Sequence, residues 1–204
     1  SFTSGESRSA VVEGFTIADA LLPSGSGGAI VCSPGSPTIR GNVFSNNQAS
    51  VGGAILIMGG NPLIESNQFL TNHSFVDGGA IMIYGAAAAI SQNLFKGNSS
   101  DAYCGAVFSR FSRVVARHNI FVDNHCPWKG GAYLLGQNSK DSVINNTFVG
   151  NRSDEGSGVL GLWYCDSAVV LNNILTFNVG PAVAQGASVT WVVNYNNVYG
   201  NLGG

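Results

Sequence analysis

The stretch GNVFSNNQASVGGAI, from Gly41 to Ile55, places one asparagine two residues before a phenylalanine, another three residues after it, and then Gly-Gly-Ala-Ile. The same order returns as SNQFLTNHSFVDGGAI, from Ser66 to Ile81. Followed outward, the pattern Asn-x-apolar-x-x-Asn begins at Asn42, Asn67, Asn93, Asn119, Asn146, Asn173 and Asn196, with steps of 25, 26, 26, 27, 27 and 23 residues. Its apolar position is Phe44, Phe69, Phe95, Phe121 and Phe148, then Leu175 and Val198; a weaker early copy, VVEGFTIADA, puts Phe15 in the Phe place. A second series runs between these: GGAI at Gly27, Gly52 and Gly78, CGAV at Cys104, GGAY at Gly130 and SGVL at Ser157.

A period in the middle twenties, with Val, Ile and Phe in short runs and no 3.6-residue apolar pattern, excludes the all-helical repeats. A leucine-rich repeat needs a Leu-dominated consensus, and these positions are Phe, Ile and Ala. What remains is a parallel β-helix, in which equivalent positions stack roughly 4.8 Å apart and any residue repeated coil after coil becomes a ladder. An inward asparagine ladder satisfies buried turn backbone, a phenylalanine ladder fills the core, and Gly-Gly allows a sharp bend. The expected fold is therefore all-β: a single-stranded right-handed parallel β-helix of about seven to eight coils of 23–29 residues, with about three short strands per coil. Residues 1–204 are expected to form one domain, a portion of a longer chain.

Composition agrees with a globular chain: 45% of residues are hydrophobic and 10% charged, and 28 glycines are too many for a helical protein. Nine Lys plus Arg are scattered through a chain of net charge −2, which argues against a nucleic-acid partner. No apolar run approaches the roughly 20 residues of a membrane helix, so the chain is not expected to span a membrane.

The GGAI motif alternating with FxxN resembles the repeat of chlamydial polymorphic membrane proteins, and SPTIRGNVFSNN resembles the wider group of bacterial right-handed parallel β-helix proteins, pectate-lyase-like in fold. The resemblance runs from about Val11 to Asn201. It implies an extracellular or cell-surface protein. It leaves activity open, since this superfold hosts lyases, hydrolases, adhesins and proteins of no known role.

Alignment on the Gly-Gly positions gathers charge and aromatic rings along one turn of the middle coils: Asp77, Asp101, Tyr103, Trp128, Lys129, Asp154 and Glu155, with His73, Asp123, His125 and Arg152 beside them. A polysaccharide lyase acting on uronic-acid polymers needs carboxylates to hold Ca²⁺ and an Arg or Lys base. Asp77, Asp101 and Asp154 are the candidate carboxylates, Asp101 and Asp154 the candidate metal ligands, and Lys129 or Arg152 the candidate base. Asp101 and Asp154 are two coils apart, roughly 10 Å by the strand spacing. No adjacent Asp pair of the polygalacturonase kind occurs, so a glycoside hydrolase is the weaker enzyme reading. No other cofactor is expected.

Aromatic side chains with a cation suit a sugar-binding surface. Tyr103, His125, Trp128, Tyr84, Arg110 and Trp163 are the candidate ligand-binding residues. His73, His118 and His125 read as turn residues. Cys104 and Cys126 fall on adjacent coils near the same turn, which allows a disulfide, or else two buried thiols. Asn72, Asn98, Asn145 and Asn151 fit the glycosylation sequon, though three of them belong to the ladder.

After each Gly-Gly the chain is apolar on both parities. With Ile30, Ile55, Ile81, Val107 and Tyr133 inward, Val31, Leu56, Met82, Phe108 and Leu134 form an outward apolar stripe, expected to be a partner surface. Three functions stay open: a noncatalytic adhesin-like module binding polysaccharide or protein along its long face, a polysaccharide lyase, and a structural spacer or filament unit that self-associates through the stripe or the open ends.

Overall fold

A computed structural model describes residues 1–155, 158–186 and 190–203. They form four parallel sheets of 8, 8, 6 and 7 strands and no helix, so no helix is long and apolar enough to cross a membrane. One coil shows the plan. Leu63–Glu65 lies in the first sheet, Gln68–Leu70 in the second, His73–Asp77 in the third and Ile81–Tyr84 in the fourth. Each strand pairs with its counterpart one coil away: Phe69 lies beside Phe44 on one side and Phe95 on the other.

Each coil thus has four strands rather than the expected three. Both asparagines of the motif are corners, Gly-Gly is a third, and a fourth bend follows the strand after Gly-Gly. The two asparagine corners share one device: the residue before each asparagine is left-handed. Before the first ladder stand Gly41, Ser66, Gln92 and His118, with φ between 55° and 62°; before the second stand Asn46, Thr71, Gly97 and Asp123, between 52° and 65°. His118 is a turn residue as expected, whereas His73 and His125 are strand residues of the third sheet. A left-handed residue reverses the chain in one step and turns the next side chain inward.

That next side chain is always the ladder asparagine. The Oδ1 of Asn93 accepts from the backbone N–H and the Nδ2 of Asn67, and the Nδ2 of Asn93 donates to Ile64 O of the preceding coil. In the second ladder Asn98 Nδ2 donates to Phe69 O and Asn124 Nδ2 to Phe95 O. Asn72, Asn98 and Asn151, which carry three of the four sequons, are fully buried in this ladder.

The phenylalanines stack inside the tube. Ring centroids of Phe44, Phe69, Phe95, Phe121 and Phe148 follow at 4.9, 4.8, 4.8 and 4.6 Å, with interplanar angles of 10° or less. Their first neighbour on the N-terminal side is Ile17, in register with Phe44, and not Phe15, which is 60% exposed. The copy VVEGFTIADA was offset by two residues because its corner glycine, Gly14, is followed by Phe15 where the later coils have the asparagine.

The outward stripe departs from expectation. Its parity holds, yet Leu56, Met82, Phe108 and Leu134 are buried and form a second apolar cluster outside the fourth sheet, with Val51, Tyr103 and Trp163 packed against it. The Gly-Gly corner is responsible. Gly130 is left-handed and lies so close to the next strand that a Cβ there would stand 2.6 Å from Leu134 Cβ. Val51 and Tyr103, from the segments just before these corners, pack on the outer face and help cover the stripe. Ser157, where the last weak Gly-Gly copy begins, and Gly156 before it lie outside the described residues.

Candidate functional site

The outer column of the fourth sheet runs Val31, Leu56, Met82, Phe108, Leu134, Gly161, Ala184, each in register with the next. Five large side chains are followed by a glycine and an alanine, and there the stripe opens. A cavity of about 220 Å³ occupies the vacated space, lined by Leu134, Gly161, Trp163, Ala184, Gln185 and Lys129.

Aromatic residues from three successive coils gather at this opening. Tyr103 stacks on Trp163, with centroids 5.2 Å apart and planes within 16°, and Trp128 meets Tyr103 edge-on at 5.1 Å. Trp128 is 44% exposed. Lys129 Nζ lies 5.9 Å from the Trp163 ring centroid. Among the described residues Lys129 forms no ion pair.

Arg110 stands nearby, its guanidinium 6.0 Å from the Phe108 ring and 5.7 Å from that of Phe111, and it donates to Gln137 Oε1 at 2.6 Å. Asp77 is 9% exposed, and burial pushes its carboxyl up to about 6 against the opposing charge of Arg110. Asp77 Oδ1 and Arg110 Nε are both buried without a hydrogen-bond partner. Tyr84, in register with Arg110, leans on Phe111 at 5.2 Å and belongs to the bend at the far end of the strand.

The remaining candidates sit on the third sheet. His73, Ser99, His125 and Arg152 form one outward column, in register coil by coil. His73 Nε2 lies 3.5 Å from Asp101 Oδ1, and its Nδ1 is 3.0 Å from Ser99 Oγ. His125 Nε2 lies 3.0 Å from Asp154 Oδ2, while Arg152 Nε donates to the other oxygen of Asp154. Arg152 and His125 hold the Asp154 carboxyl below its ordinary range. Asp101 and Asp154 are thus each engaged by a histidine of their own surroundings and do not converge. Among the described residues no three His, Cys, Asp or Glu come together as a metal-ligand set.

Cys104 and Cys126 are free, buried thiols rather than a disulfide. Cys104 takes the left-handed place that glycine holds in other coils (φ 65°), and its Sγ donates to Val107 O at 2.9 Å; Cys126 Sγ donates to Lys129 O at 3.2 Å. Burial pushes the Cys126 thiol up to about 12 and that of Cys104 well up too, so both are held protonated.

One polar group escaped the repeat alignment. Asp141 is fully buried, accepting from Tyr133 OH at 3.1 Å, Val114 N at 2.9 Å and Ser109 Oγ. Burial pushes it up to about 6. Tyr133 and Ser109 stand in inward columns whose neighbouring coils carry Val107 and Leu160, and Ile83 and Leu135, and two such hydroxyls on adjacent coils need a buried partner. That was the available signal.

A parallel coil of about seven turns with four parallel sheets and two asparagine ladders defines a β-solenoid. The family described as right handed beta helix region matches residues 3–151 and again 75–204, together nearly the whole chain, and the chain belongs to that family. No curated protein and no solved structure matches it.

Proposed function

We propose that this chain is a noncatalytic, extracellular or cell-surface β-helix module that binds polysaccharide at the Trp163 cavity and the Tyr103–Trp128 surface beside it. The observation that carries this reading is the coincidence of two features. The outer stripe gives way to Gly161 and Ala184, and there an indole, a phenol and an ammonium group with no ion pair among the described residues meet. A shallow cavity bordered by aromatic faces, with a few polar groups to fix orientation, is how proteins hold sugar rings. The extracellular placement rests on the resemblance of the repeat to surface proteins.

The lyase reading needs carboxylates free to hold Ca²⁺ and a base free to take a proton. Asp154 is engaged by both His125 and Arg152, and Asp101 faces His73, which favours binding over cleavage. A spacer would have no use for the cavity.

The test is a panel of polysaccharides, uronic-acid polymers among them, incubated with the protein and Ca²⁺. Absorbance of newly formed unsaturated sugars is followed while affinity electrophoresis measures binding. The expected result is retardation on at least one polymer without new absorbance, lost in Trp163→Ala and weakened in Lys129→Gln. New absorbance makes the protein a lyase, and an absence of retardation throughout favours the spacer.

A further inference from the structure

Four asparagines head an Asn-x-Ser/Thr sequon, and strand parity separates one of them from the rest. In Asn72-His-Ser, Asn98-Ser-Ser and Asn151-Arg-Ser the asparagine is a ladder residue and points inward, so the hydroxyl residue two places on points inward as well. Ser74, Ser100 and Ser153 are accordingly buried. Both amide hydrogens of each asparagine are in use. Nδ2 of Asn72 donates to Phe44 O and Asn98 Oδ1, that of Asn98 to Phe69 O and Asn124 Oδ1, and that of Asn151 to Phe121 O and Asn178 Oδ1. These amides have neither a spare hydrogen nor room for a sugar in the folded coil.

Asn145-Asn-Thr is out of phase with the ladder by one residue. Its ladder asparagine is the middle one, Asn146, which is buried, so Asn145 and Thr147 face outward. Asn145 is the left-handed corner residue (φ 57°) and is exposed; its Nδ2 lies 3.2 Å from Nε2 of His118, itself exposed. An amide that carries a sugar keeps one hydrogen, which is enough for this contact. Beside the corner the outer face of the second sheet is apolar: Ile120 and Ile174, each nearly half exposed, flank Thr147 in register.

We infer that Asn145 is a modification site, the acceptor of an asparagine-linked glycan, and that the three ladder sequons are not acceptors in the folded chain. The donor is a sugar activated at its anomeric carbon by a phosphate, carried on a nucleotide or a lipid. The C1–O bond to the phosphate breaks and the phosphate leaves with the electron pair, while Nδ2 of Asn145 bonds to C1 and gives one proton to a base of the transferase. The glycan places hydroxyls beside Ile120 and Ile174, whose side chains otherwise meet water. The inference rests on the extracellular placement proposed above and is independent of the Trp163 cavity.

The test is peptide mapping by mass spectrometry of the protein isolated from its own cells, and separately from their surface and medium. Trypsin releases residues 141–152, which hold both Asn145 and Asn151, so fragmentation places the sugar within that peptide. The expected result is a sugar on Asn145 and none on Asn72, Asn98 or Asn151. A preassembled oligosaccharide identifies the lipid-linked donor, and one or a few hexoses the nucleotide-linked one. Asn145→Gln and Thr147→Val, expressed in the same cells, are expected to unfold cooperatively and to lack the sugar. Thr147→Val keeps the branched shape and leaves Asn145 in place, so loss of the sugar there ties the modification to the sequon rather than to exposure alone. Sugar on a ladder asparagine, or sugar retained in Thr147→Val, overturns the inference. A bare Asn145 in protein recovered outside the cell overturns it alone, whereas bare protein found only inside the cell overturns it together with the extracellular placement.

Discussion

Asn93 and Asn119, one coil apart, are joined twice: the backbone N–H and the side-chain Nδ2 of Asn93 both donate to Oδ1 of Asn119, each at 3.0 Å. The same pair of hydrogen bonds repeats along both ladders, so each asparagine serves as acceptor for one neighbour and donor to the other. Replacing Asn93 by Leu removes the acceptor of the Asn67 N–H and the donor to Ile64 O. The expected loss is about 1–3 kcal/mol per orphaned group despite the added apolar surface. Denaturant unfolding of Asn93→Leu beside Asn197→Leu, an exposed position on the last strand of the second sheet, checks this. Equal small effects would remove the ladder from the account of stability.

Phe95 lies between Phe69 and Phe121 with no exposed surface. Phe95→Ala leaves a ring-sized void between two rings that the coil spacing holds apart, and it is expected to cost about 3–5 kcal/mol. A midpoint shift in urea at unchanged slope is the readout.

Thr71 takes φ 52° at the corner where the coil before has Asn46 and the coil after has Gly97. A β-branched residue is poorly suited to this conformation, and asparagine suits it better. Thr71→Asn is expected to stabilise the fold by about 0.5–1 kcal/mol, read as a raised melting temperature. A lower one would mean that the threonine side chain contributes more than its backbone conformation costs.

Asp141 sets a pH dependence. Its carboxyl is pushed from an ordinary 3.8 up to about 6 by burial, so the folded state binds the proton more tightly than the unfolded one. Its contribution to stability is therefore fully present below about pH 4 and is lost as the pH rises through about 6, with a size on the order of 3 kcal/mol. Asp77, also pushed up to about 6 by burial, acts in the same direction. Asp154, held below its ordinary range, acts in the opposite sense but is largely exposed and contributes little. Thermal unfolding from pH 4 to 7 should show a steeper decline in the wild type than in Asp141→Asn, whose amide does not titrate. Parallel profiles would rule Asp141 out as the source.

The period, the two asparagine ladders and the phenylalanine stack were legible in the sequence, for a physical reason. A parallel coil brings each residue against its own counterpart one repeat away, so identity at a constant spacing becomes contact, as between Phe69 and Phe95 or Asn93 and Asn119. The tertiary structure alone decided what depends on different columns meeting. The stripe of Leu56, Met82, Phe108 and Leu134 alternates as an outward face should, yet it is buried, with Val51, Tyr103 and Trp163 packed against it. Tyr103 and Trp128 share the turn before Gly-Gly and were legible together, but Trp163 follows the strand Leu160–Leu162, and its stacking on Tyr103 beside the Gly161 gap is a contact between columns. Asp141 likewise joins Ser109 and Tyr133 across the interior of the tube. Contacts within a column follow from the period, while contacts between columns depend on the angle at each corner, which backbone conformation sets and residue identity encodes only weakly.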